Sequence, residues 1–106
     1  MLEKCPQISV VAPLLNEQEN IQPLYDQITE TLAGKYEYEM VFVDDGSTDK
    51  SFEMLAELQK ADAHVRVIRF RKNFGQTAAL SAGFRHCRGE IVVALDADLQ
   101  NDPADI

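Results

Sequence analysis

The sequence predicts an α/β fold: a doubly wound parallel sheet in the order 3-2-1-4, with helices on both faces. Two observations carry this. Short runs rich in β-branched residues alternate with segments whose apolar residues recur at helical spacing. Strands that alternate with helices join by right-handed crossovers into a parallel sheet. A third observation concerns the polar residues, which gather after the predicted strands: "PLLNE" after the first, Asp44-Asp45-Gly46 after the second, Asp96-Ala97-Asp98 after the fourth. In such a sheet ligands bind beyond the carboxyl ends of the strands, where strands 1 and 4 meet.

The elements follow in order. "QISVVAP" is a buried first strand ended by Pro13. Ile21, Leu24, Tyr25, Ile28 and Leu32 form one stripe of an amphipathic helix. Pro23 fits the first turn, where its missing N–H has no partner to lose. The helix is therefore expected to start near Asn20, leaving "LLNEQ" as a loop, and Gly34 ends it. "YEMVFVDD" is the second strand, and Thr48 or Asp49 caps the helix that carries Phe52, Leu55 and Leu58. "VRVIRF" is a third strand whose alternating arginines predict a sheet edge with one wet face. Gln76 to Arg88 makes a third helix with Leu80, Phe84 and Cys87 on one stripe, stopped by Gly89. "EIVVALD" is the fourth strand and reads as buried from Ile91 to Leu95.

At 106 residues the chain is one small domain or part of a larger one. A net charge of −8 disfavours general nucleic-acid binding, which needs a basic surface. The positive charge is nonetheless concentrated: Arg66, Arg69, Arg71, Lys72, Arg85 and Arg88 fall in one span, either as a solvated face or as a phosphate-facing patch. Cys5 and Cys87 lack metal or redox spacing, and Cys87 reads as packing. "MLEKCPQ" lacks the apolar core of a signal peptide, and no run reaches membrane-spanning length, so the chain as given is expected to be soluble, on the cytoplasmic side.

Asp96 and Asp98 crowd carboxylates onto an apolar strand end, which is unfavourable unless something neutralises them. A divalent cation, magnesium or manganese, would do so through hard oxygen ligands. Alternate residues point the same way if the strand persists, so both carboxylates can reach one ion, with Gln100 adding a further oxygen. An isolated D-x-D is weak evidence, since aspartates also form turns and caps after strands. Asp102, before Pro103, is read as a turn residue, and Asp49 as a cap. Asn16 and Glu19 look like a capping pair, but Pro23 argues against a helix beginning there, which keeps Glu17 as a site candidate. Asp44 and Asp45 together exceed what one cap needs. His64 and His86 show no partner pattern and are expected on the surface.

"VVAPLLNEQENI", "VFVDDGSTD", "RFRKNFGQTAALSAGF" and "ALDADLQNDP", in this order and spacing, resemble family 2 glycosyltransferases of the Rossmann-like GT-A fold. The likeness is to the branch that makes polyprenyl-phosphate sugars, dolichyl-phosphate mannose synthase among them. It covers nearly the whole chain. The resemblance implies inverting sugar transfer from a UDP- or GDP-sugar to a polyprenyl phosphate, with a divalent metal. It also implies that Pro13, Leu15 and Glu17 border the nucleoside and that Asp45, with Asp44, bonds the base. Asp96 with Ala97 and Asp98 would lie against the donor, with Asp96, Asp98 and Gln100 on the metal. Arg71, Asn73 and Gly75 match a segment on the donor and acceptor side. Leu15 stands where the family often has an aromatic residue. Because the family's catalytic domain is about twice this length, residues 1–106 read as the donor-binding part of a longer, membrane-associated protein. Its fourth strand, left as an open edge, would invite homo-oligomerisation. A haloacid-dehalogenase-type phosphatase would carry its D-x-D on the first strand. A phospho-receiver domain would need its acidic pair after strand 1 and a lysine later than Lys72. A non-catalytic nucleotide-binding module, by contrast, would share every donor motif.

Overall fold

The computed structural model describes residues 6–95. Four parallel strands, β1 (Ile8–Leu14), β2 (Tyr38–Asp44), β3 (Val65–Arg69) and β4 (Ile91–Ala94), lie in the order β3-β2-β1-β4. They alternate with α1 (Gln18–Leu32), α2 (Ser51–Ala61) and α3 (Gln76–His86). The predicted topology and strand order are borne out.

Strand alternation sorts the core into two halves. Val10, Ala12, Leu14, Met40 and Phe42 pack with Ile21, Leu24, Ile28 and Leu32 of α1 and Leu55 of α2. On the opposite face Val11, Val41 and Val43 pack with Ala79 and Ala82 of α3. Small residues on α3 let it sit close to the sheet: a Cβ on Gly83 would come 2.4 Å from Val11 Cγ1.

Several local expectations are corrected. β1 continues through Pro13 to Leu14, with Pro13 opposite Val43. Val11 C=O accepts from Leu95 N–H on the β4 side, and Leu14 C=O accepts from Asp45 N–H on the β2 side. By alternation the absent N–H of Pro13 falls on the β4 side, and the β2 ladder loses nothing. α1 starts at Gln18, so Pro23 sits beyond its first turn. The reason is tertiary: hydrogen bonds from the β2–α2 loop, described below, fix the helix start. α3 ends at His86, and its buried side is Ala79, Ala82 and Gly83; Leu80 and Cys87 are only partly buried and Phe84 is 49% exposed. Gly89 serves close approach rather than helix termination, because a Cβ there would lie 2.7 Å from the Ser9 backbone nitrogen. Among the described residues β4 is an edge strand, as the predicted order placed it, and the run read as buried is so only at Leu95, with Ile91 59% and Val92 42% exposed. His64 is exposed as expected, but it has partners, stacking on Tyr38 and placing Nδ1 2.7 Å from Asp62 Oδ1.

The amino end of the sheet is held by one buried carboxylate. Glu39 accepts from the Ser9 hydroxyl at 2.6 Å, the Arg88 N–H at 2.7 Å and the Arg66 guanidinium at 2.8 Å. Burial opposes its ionisation, but those donors outweigh it and hold the carboxyl below the usual glutamate range. A depressed folded-state pKa means the contribution is present at neutral pH and is lost as pH falls through that value. Glu39→Gln is therefore expected to lower stability at neutral pH by about 1–3 kcal/mol. It should also flatten the acid limb of stability against pH, measured by urea unfolding across the carboxylate range. An unchanged acid limb would contradict this assignment.

Candidate functional site

The carboxyl ends of the strands are brought level by direct hydrogen bonds. Asp45 N–H donates to Leu14 C=O and Phe70 N–H to Asp44 C=O, both at 2.9 Å. The segments after β1, β2 and β3 thus share one edge of the sheet. Pro13, Leu15, Glu17, Asp44 and Asp45 lie there, with the β3–α3 loop that carries Arg71, Asn73 and Gly75.

The first two loops are knitted together by Asn16. It adopts φ +55°, a conformation that asparagine tolerates better than most residues. Its Oδ1 accepts from the N–H groups of Thr48 at 2.8 Å and Asp49 at 3.2 Å, while its own N–H donates to Ser47 Oγ at 2.9 Å. The amino ends of α1 and α2 then satisfy one another. Ser51 Oγ accepts from Glu17 N–H, Asp49 Oδ2 from Gln18 N–H, and Gln18 Oε1 from Lys50 N–H. These are the donors a helix start leaves unpaired. The N-cap of α2 is Lys50, neither Thr48 nor Asp49, but Asp49 one residue earlier still serves the helix start, its Oδ1 accepting from Ser51 N–H at 2.8 Å. Burial works against its charge, yet the Ser51 and Gln18 donors prevail and keep this carboxyl below its ordinary range.

Asp44 and Asp45 divide their roles. Asp44 is fully buried; Oδ1 accepts from Ser47 N–H at 2.8 Å, and Oδ2 has no hydrogen-bond partner among the described residues. Asp45 is 5% exposed and grips the β3–α3 loop, accepting from Phe74 N–H at 2.7 Å through Oδ1 and from Gly75 N–H at 3.0 Å through Oδ2. Each of its oxygens retains a second acceptor position. Gly46, at φ +85°, lies so close to this loop that a Cβ would be 2.6 Å from Asn73 N. The β2–α2 and β3–α3 loops are therefore locked at two adjacent residues.

Most of the predicted site residues within the described chain come together on this edge. Leu15 is 39% exposed, Glu17 is half-buried, and Arg71 and Asn73 are exposed. Gly75, at φ +101°, opens α3. Asp96, Ala97, Asp98 and Gln100 lie outside the described residues, as does Asp102. Among the described residues no group of three His, Cys, Asp or Glu side chains could hold a metal ion. Sequence reasoning missed Asn16, Gln18, Ser47 and Ser51 as structural partners. The one signal for them was that two turn-forming segments, "LLNEQ" and "GSTDKS", follow adjacent strands.

Comparison with known proteins identifies the family and agrees with the fold. Residues 9–106 match the family described as Glycosyl transferase family 2. The chain is 44% identical over 101 residues to an undecaprenyl-phosphate 4-deoxy-4-formamido-L-arabinose transferase from Pseudomonas fluorescens, covering 93% of this chain and 30% of that protein. It superposes with a TM-score of 0.79 and 30% identity on the mannosyltransferase PcManGT from Pyrobaculum calidifontis in complex with GDP-Man and Mn2+, covering 90% of this chain and 28% of that one. S. aureus TarS in complex with UDP-GlcNAc gives 0.77 and 26% identity, covering 87% of this chain and 26% of that one. The chain thus spans under a third of each of these relatives. By its sequence match and its parallel 3-2-1-4 sheet, the chain belongs to glycosyl transferase family 2 and has the α/β architecture of its GT-A members.

Proposed function

We propose that this chain is the donor-binding part of a glycosyltransferase that moves a sugar from a nucleotide diphosphate to a polyprenyl phosphate, with inversion and with a divalent cation. The observation that carries the reading is the shared carboxyl edge, where Asp45 holds the β3–α3 loop and the end of β1 that leads into Leu15 and Glu17 is bonded alongside. The relatives named above support the chemical classes: one is named an undecaprenyl-phosphate sugar transferase and two are complexes with nucleotide sugars.

In this reading Pro13, Leu15 and Glu17 border the nucleoside, and Asp45 uses a remaining acceptor position on a ring N–H of the base. Leu15 offers an aliphatic surface rather than an aromatic one. Asp96, Asp98 and Gln100 would hold magnesium or manganese, for which hard oxygen donors at an already acidic edge are suited. The cation would stabilise negative charge on the leaving diphosphate as a Lewis acid. Arg71 and Asn73 stand on the donor and acceptor side. An acceptor phosphate is already ionised near neutral pH, so the reaction makes little demand on a general base. We place the whole protein at the cytoplasmic face of a membrane, where such an acceptor resides.

The test is a transfer assay on the protein that contains this chain, with UDP- and GDP-sugars, manganese and undecaprenyl phosphate. A sugar recovered in the organic phase, with inverted anomeric configuration, is expected. Donor binding without any lipid-linked product would favour the alternative, a non-catalytic nucleotide-binding module that shares all the donor motifs.

A further inference from the structure

The β3–α3 loop carries a feature that donor binding does not use. Phe74 is 57% exposed at the edge of the site, although an aromatic ring of that size is normally covered. It stands edge-on to Phe70, with ring centroids 5.6 Å apart, and the Lys72 ammonium lies 5.3 Å from its centroid. Arg71 is exposed beside it, and Arg69 sits 4.0 Å over the Phe52 ring at the adjacent end of β3. From residue 64 to residue 89 the sequence contains no aspartate or glutamate, although the protein has a net charge of −8. The positive charge is therefore segregated, and the loop that bears it is held by two hydrogen bonds to Asp45.

An exposed aromatic ring flanked by cations has the chemistry of a membrane-interface anchor. The ring settles at headgroup level while Lys and Arg meet anionic headgroups. We infer that Lys72 and Phe74 form a docking surface for an anionic lipid bilayer, which sets the donor site, with Arg71, against the plane in which a lipid-phosphate acceptor lies. The inference rests on the lipid-acceptor reading above for its purpose, but not for its test. The overall acidity of the protein would repel such a surface, so contact through this loop also fixes orientation.

The experiment is co-sedimentation with phosphatidylglycerol–phosphatidylcholine vesicles against pure phosphatidylcholine vesicles. Binding to the anionic vesicles that weakens with salt is expected. Lys72→Gln should lower the partition about fivefold. Combined with Phe74→Ala it should lower it about tenfold or more, since ring and charge act together. The Phe74 side chain takes no part in the backbone bond to Asp45, so the variant should bind UDP or GDP as the wild type does. Lys60→Gln, a charge removed from the exposed last turn of α2, is expected to leave vesicle binding unchanged. Equal binding to both vesicle types, or equal losses from Lys60→Gln and Lys72→Gln, would overturn the inference. A wild type that binds the anionic vesicles but neither UDP nor GDP would count against the donor-site reading and leave the docking surface standing.

Discussion

Gly46→Ala is expected to destabilise the protein by about 2–5 kcal/mol, as the sum of left-handed backbone strain and overpacking. The residue has φ +85°, which an L side chain adopts at a cost, and its Cβ would fall 2.6 Å from two backbone atoms of Lys72 and Asn73. Backbone cannot swing aside as a flexible side chain can, so either β2–α2 or the β3–α3 loop must shift. Gly34 is the internal control: φ is +79° there too, but nothing lies within 4 Å of the position a Cβ would take. Gly34→Ala should therefore show only the strain, about 1–2 kcal/mol. Urea unfolding of both variants measures the difference. Equal losses would mean that the contact between the two loops contributes nothing. The loop displacement predicts a second effect, weaker nucleotide binding in Gly46→Ala but not in Gly34→Ala.

Asp45→Ala should be nearly as severe. The carboxylate is the acceptor for two consecutive N–H groups, Phe74 and Gly75, at 2.7 and 3.0 Å. Losing it leaves both without that partner, at about 1–3 kcal/mol for each donor left unsatisfied. Amide hydrogen exchange reads this locally: the two amides should lose protection while those of β1 and β2 keep theirs. Asp45→Asn should be intermediate, because one of its two positions becomes a donor facing a donor. In either variant nucleotide affinity should fall, since the same carboxylate faces the proposed base. Unaltered protection at Phe74 and Gly75 would contradict the role assigned to Asp45.

What was legible in the sequence follows from the range of the forces involved. Hydrophobic periodicity reports which face of each element is buried, and it placed β1, β2 and α1 with their core residues; in α2 it found Leu55 and the partly buried Leu58, but Phe52 lies outside the core, under Arg69. Crossover handedness did the rest for the strand order. The misreadings arose where a distant partner overrides a local signal. Pro23 lies inside α1 because the Ser51 and Asp49 side chains, more than thirty residues away, bind the N–H groups of Glu17 and Gln18. Phe84 looks like core by spacing, yet the close approach of α3 is made by Ala79, Ala82 and Gly83, which turns the larger residues outward. Composition alone made β4 look buried, whereas the predicted order already put it at the end of the sheet, and within the described residues it has a strand partner on one side only. At the site, Asp44 and Asp45 were recognisable as more acidic than a cap requires. That Asp45 clamps the "RKNFG" loop was not, because nothing local links residue 45 to residue 74.

The central claim is that the carboxyl edge binds a nucleotide diphosphate through a divalent cation, and isothermal calorimetry tests it most directly. UDP and GDP are titrated into the wild type and into Asp98→Ala, each with manganese or magnesium and with EDTA. One of the two nucleotides is expected to bind the wild type with metal and to lose most of its affinity in EDTA, with Asp98→Ala behaving as the chelated wild type does. Binding by Asp98→Ala that keeps the full metal dependence would contradict the metal assignment, and no binding of either nucleotide to the wild type would contradict the donor site itself.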